Sequence, residues 1–104
     1  MSTPEEQRWE LTASVIRGHA LEQMSIRGIT EEQVRHVLVD PETVMTVRPG
    51  RVVAQRMITT DATGRNAGDN MEYLFRVFVD IDRQPPEVVT AYRTSKIHKH
   101  RKKP

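Results

Sequence analysis

From Thr43 onward apolar residues tend to alternate with polar ones, and this pattern constrains the fold more than any other feature of the chain. Eight of the twelve valines lie between Val44 and Val89. Within Met71 to Ile81, the residues Tyr73, Phe75, Val77, Val79 and Ile81 recur at every second position. That spacing sends side chains to one face of a pleated strand, and it turns Leu74, Arg76, Phe78 and Asp80 to the other. The same texture predicts strands over Thr43 to Val47, Arg51 to Thr59 and Glu87 to Ser95. Pro49-Gly50 offers the fixed φ and then the positive φ of a tight turn between the first two. Asp61 to Asn70, with Gly64, Asn66 and Gly68, reads as a long connection, and Pro85-Pro86 marks the last turn.

Before Thr43 the period lengthens. Ile16, Ala20, Leu21 and Met24 keep a helical spacing, and Gly28 stands where a left-handed residue closes a helix, which predicts a first helix over Ser14 to Arg27. Thr30-Glu31-Glu32-Gln33 is a capping box, Val34, Val37 and Leu38 form one apolar stripe, and Pro41 forbids continuation, which predicts a second helix over Glu31 to Val39. Ahead of these, two readings compete. Thr3-Pro4-Glu5-Glu6 has the form of a helix start, whereas Trp9-Glu10-Leu11-Thr12 alternates like a short edge strand, and the strand is preferred. The expectation is an α+β domain in which two N-terminal helices pack on one face of an antiparallel sheet of about four strands, with a short N-terminal edge strand.

The 104 residues suit one domain, and 24 of them are Leu, Ile, Val or Phe, enough for a thin core. With no cysteine, thiolate metal sites, disulfides and cysteine nucleophiles are excluded. Met1 to Glu10 carries acidic charge where a signal peptide needs a basic and then an apolar stretch, and no apolar run would span a bilayer, so a cytoplasmic protein is expected. The net charge of +2 hides an asymmetry. Residues 1–92 hold ten basic and all 14 acidic groups, a net −4, while residues 93–104 carry +6. Residues 96–104 are expected to form a mobile basic tail, read either as a solvated chain end or as an arm for phosphates or an acidic partner.

Two runs carry a family likeness. His19-Ala20-Leu21-Glu22-Gln23-Met24 with Arg27-Gly28-Ile29, Val34 and Pro41, and Val88-Val89-Thr90-Ala91-Tyr92-Arg93-Thr94-Ser95-Lys96-Ile97, resemble the opening and closing motifs of a bacterial domain-of-unknown-function family allied to the BrnT and RelE/ParE toxins. The resemblance spans about Leu11 to Lys99. It implies a metal-independent endoribonuclease without a cofactor, restrained by a cognate antitoxin. Such an enzyme promotes attack of the RNA 2′-hydroxyl on the adjacent phosphate, which needs a base, an acid and cations. On that basis His19 is the candidate general acid or base. Arg76 and Arg93 are the candidate phosphate forks, Tyr92 the stacking or hydroxyl group, and Lys96 and Lys99 the substrate-backbone contacts.

Blander roles stand beside these. His19 fits a packing or capping residue at a helix start, Arg76 a strand residue with its stem on Phe78, and Arg27 a cation complementing a helix C-terminus. His98 and His100 among lysines make a poor metal site. The alternation does not decide whether Tyr92 or Arg93 joins the face of Arg76. Three functions therefore follow: a ribonuclease toxin, a ParE-like toxin that blocks a protein target, or an interaction module. A sheet with open edges also predicts an acidic partner, and self-association without it.

Overall fold

The computed structural model describes residues 10–61 and 70–95, without the side chains at positions 60, 61, 70 and 71. In chain order the elements are β1 (Val15–Ile16), α1 (Gly18–Ile26), α2 (Glu31–Val39), β2 (Thr43–Arg48), β3 (Arg51–Asp61), β4 (Asn70–Asp80) and β5 (Glu87–Thr94). The fold is α+β, with one mixed sheet in the order β1-β5-β4-β3-β2. The expected antiparallel sheet of about four strands is thus corrected to five, because β1 pairs parallel with β5, Val15 opposite Glu87 and Ile16 opposite Val88. The other pairs are antiparallel.

The edge strand does not lie where alternation placed it. Residues 10–12 are helical, and the buried Ser14 hydroxyl donates back to the Glu10 carbonyl at 2.9 Å. The extended pair follows at Val15–Ile16, where β-branched side chains favour a strand and the Val15 amide donates to the Pro86 carbonyl at 2.8 Å. This shortens the first helix from the expected Ser14 start to Gly18. Its N-cap residue, Arg17, is extended and makes no side-chain cap. At the other end Gly28 adopts φ +70, and the Ile29 amide reaches the Met24 carbonyl at 2.9 Å. The second helix starts from a complete capping box: the Gln33 amide donates to Thr30 Oγ1 at 3.1 Å, and Gln33 Oε1 accepts from the Thr30 amide at 3.0 Å.

One face of the sheet carries the main core. Ala20 and Met24 from α1 and Val34, Val37 and Leu38 from α2 are buried with Val52, Ala54, Phe75, Val77, Val79, Val88 and Ala91. The strand register puts Ala54, Val77 and Ala91 in one row across three strands, and Val52, Val79 and Val88 in another. In β5 the ladder shifts between Phe78 and Val79, so that Val79 faces Val88 while Phe78 faces Thr90. The extra residue reverses the alternation along β5. The opposite face is not bare: Val53, Gln55, Leu74 and Asp80 are buried on it as well.

Gly50 closes the β2–β3 hairpin with φ +86, and its carbonyl accepts from the Ile81 amide at 2.9 Å, so the turn docks on the end of β4. A Cβ at this position would lie 2.5 Å from Asp82 Oδ2 and 3.1 Å from Asp82 Cβ. Gly50→Ala combines that contact with a left-handed backbone, and chemical denaturation is expected to show a loss of about 2 kcal/mol or more. A loss below about 0.5 kcal/mol would mean that the turn is built differently. Among the described residues no helix is long and apolar enough to cross a membrane.

Candidate functional site

Three consecutive positions of β3, β4 and β5 build the polar centre of the helix-free face. Gln55 lies opposite Arg76, and Arg76 opposite Tyr92. The side chains are bonded in the same order: Arg76 Nε donates to Gln55 Oε1 at 3.0 Å, and Arg76 Nη1 donates to Tyr92 Oη at 2.6 Å. One row along, Phe78 stacks on Tyr92, with ring centroids 6.1 Å apart and planes at 22°. The Arg76 guanidinium carbon lies 5.5 Å from the centroid of Phe78 and 5.7 Å from that of Tyr92. A guanidinium held by two hydrogen bonds beside two rings is pre-oriented, and cation–π attraction adds about 0.5–1 kcal/mol per contact at a wet site. Arg76, Phe78 and Tyr92 are half-buried, so the water-exposed arginine expected from the pattern is instead held between partners.

The next row is an ion-pair row. Arg51 grips Asp80 with two bonds, Nε to Oδ1 at 2.6 Å and Nη2 to Oδ2 at 3.2 Å. Arg83 approaches Asp80 at 3.5 Å and Glu87 at 3.1 Å. The Arg51 bond holds the Asp80 carboxyl below the ordinary value against the opposing effect of its burial, and the same bond raises Arg51.

The four catalytic candidates, His19, Arg76, Tyr92 and Arg93, divide into two sets. Arg76 and Tyr92 meet directly. Arg93 lies on the helix side, opposite Phe75, with its guanidinium carbon 4.7 Å above the Tyr73 ring. His19 is exposed on the first turn of α1 and makes no hydrogen bond among the described residues. The sheet and its buried Phe75, Val77 and Leu74 stand between the two sets. His19 and Arg93 therefore do not converge with the Arg76–Tyr92 pair. The reversed alternation in β5 is the physical reason for Arg93, and the attachment of α1 to the other face is the reason for His19. Lys96, Lys99, His98 and His100 lie outside the described residues.

Two roles depend on contacts between distant parts of the chain. Gln55, 4% exposed, anchors Arg76, and nothing in its local sequence distinguishes it from any polar strand residue. Arg27 crosses from the end of α1 to β5, where Nη1 donates to the Ala91 carbonyl at 2.8 Å and to Thr90 Oγ1 at 2.9 Å. It thereby covers an edge carbonyl of β5 rather than only complementing its own helix. An open groove of about 610 Å³ runs along α2 against Ile58, lined by Thr30, Gln33, His36 and Val39 among others, and shares no residue with the Arg76–Tyr92 centre. Among the described residues no group of three or more histidine or acidic side chains is arranged to hold a metal ion.

No curated protein and no solved structure matches this chain. A family model described as a domain of unknown function, DUF4258, matches residues 16–93, which take in Ile16 of β1, both helices, β2 to β4, β5 as far as Arg93 and every residue of the Gln55–Arg76–Tyr92 row. The chain belongs to that family.

Proposed function

We propose that this protein binds single-stranded RNA on its helix-free sheet face, as the RNA-directed member of a toxin–antitoxin pair with a fold allied to the RelE and ParE toxins. The observation that carries the reading is the Arg76–Tyr92–Phe78 assembly, a guanidinium bonded at 2.6 Å to a phenol and set against two stacked rings. Aromatic faces on a sheet stack unpaired bases at about 1–3 kcal/mol per base, and a neighbouring guanidinium adds charge for the phosphate. The +6 of residues 93–104 supports the same reading, since long-range attraction to RNA does not require the −4 remainder to be basic. In this reading Lys96 and Lys99 take flanking phosphates, and an acidic antitoxin covers the basic arm and an exposed sheet edge.

A second reading, cleavage, is favoured by the same short bond. Attack of a 2′-hydroxyl on its phosphate needs a proton carrier and a cation within reach, and Tyr92 Oη and Arg76 are already in contact. His19 takes no part in it from the other face.

The test uses labelled single-stranded RNA, with affinity and chain ends measured on one set of variants. Arg76→Ala is expected to weaken binding about tenfold or more, while Tyr92→Phe, which keeps the ring, stays within about twofold. RNA cut to 2′,3′-cyclic phosphate ends by the wild type and left intact by Tyr92→Phe would establish the second reading. If the wild type fails to bind, or a folded Arg76→Ala binds equally well, the proposal is overturned.

A further inference from the structure

The runs that carry the family likeness come together in space at a point the Arg76–Tyr92 centre does not use. Arg27, from the first run, is fixed on β5 by its bonds to Ala91 and Thr90. Arg93, from the second, has its guanidinium carbon over the Tyr73 ring, and its Nη2 is 3.4 Å from where a Cβ on Gly28 would be. Both guanidiniums are therefore held around the turn after α1. Ala91, whose carbonyl holds Arg27, and Arg93 itself are two residues apart along β5, about 7 Å between their backbones.

Neither arginine forms an ion pair with a carboxylate among the described residues. The carbonyl end of α1 supplies about half a negative charge, against two full positive ones. Two like charges held around one turn repel each other, so the arrangement disfavours the empty site and favours an anion between them. Arg93 is half-buried, and a guanidinium fork offers paired N–H donors that match phosphate oxygens.

We propose that Arg27 and Arg93 form a backbone-phosphate site, and that it holds a phosphodiester of the same RNA strand whose base lies on the Arg76–Tyr92 face. This rests on the RNA reading above. Tyr92 and Arg93 are consecutive and point to opposite faces, and beyond Val88 no strand pairs with the outer side of β5 among the described residues. A single strand crossing that edge therefore meets the rings on one side and the two arginines on the other. His19 stands on the first turn of the same helix, eight residues before Arg27 and about 12 Å along its axis, and so does not touch a phosphate held there.

The experiment measures RNA affinity against salt for the full chain, for Arg93→Gln and for Arg27→Gln, whose amide can still donate to the Ala91 carbonyl. Thermal melts confirm that each variant is folded. Each substitution is expected to lower the slope of log K against log salt by about 0.7, with equal loss on all RNA sequences. In parallel, inorganic phosphate is titrated while the amide NMR signals of Gly28 and Ala91 are followed. If RNA binds the wild type and both folded variants with unchanged slope, this site is overturned and the sheet-face reading stands. If RNA does not bind at all, yet phosphate moves Gly28 and Ala91 in the wild type and not in Arg93→Gln, the RNA reading and this occupant both fall, leaving a site for a small free phosphate.

Discussion

Phe75→Ala is expected to lower the unfolding free energy by about 3–5 kcal/mol, the largest effect of any single truncation among the described residues. Phe75 is 1% exposed and the largest of the fully buried side chains among the described residues. It sits in the middle of β4 on the face covered by α1 and α2, so its removal leaves a cavity that a five-stranded sheet cannot easily close. A domain of this length has about 5–15 kcal/mol in total, so the variant should be close to unfolding at body temperature. Phe75→Leu keeps most of the volume and should cost about 1.5 kcal/mol or less. Phe78→Ala is the control for register. Phe78 is half-buried on the other face, and its loss should be clearly smaller than that of Phe75. If urea denaturation ranked the two the other way, β4 would be slipped by one residue and both faces of the sheet would exchange.

Asp80→Asn is expected to cost about 2–3 kcal/mol at neutral pH, below the usual figure for one half of a buried pair because Arg51 can still reach water. The Asp80 side chain is 5% exposed and that of Arg51 is 26% exposed. The sign of the pH dependence follows from the carboxyl. Its folded value lies below the ordinary 3.8, chiefly through the Arg51 bond. The folded state therefore binds this proton less readily than the unfolded chain does. The contribution is complete above about 3.8 and disappears as the pH falls through the lower folded value. Denaturation curves of wild type and Asp80→Asn should stay apart at neutral pH and approach one another below about pH 4. A gap that widens on acidification would contradict the assigned pairing.

Local physics made part of this fold readable. The alternation of Tyr73, Phe75, Val77, Val79 and Ile81 identified a strand and its core face. Thr30 with Gln33, Gly28 and Pro49-Gly50 each marked an element end, because capping and positive φ depend on only a few adjacent residues. What stayed hidden depends on distant partners. Val15 and Ile16 fit a helix as well as a strand until Glu87 and Val88 are beside them. The irregularity near Val89 changes which of Tyr92 and Arg93 meets Arg76, and no spacing within β5 announces it. The separation of His19 from Tyr92 follows from which face α1 covers, a property of the assembled sheet. Gln55 acquired a role only through a neighbour 21 positions away.

The pairing of β1 with β5 sets an order of events during synthesis. Among the described strands the one made last, β5, takes a place between β1 and β4 rather than at the margin. A chain interrupted before Glu87 would lose the partner of Val15–Ile16, the anchor of Arg27 and the phenol that Arg76 binds, all in one stroke. Premature termination here should yield an inert, protease-sensitive product rather than a weakened one.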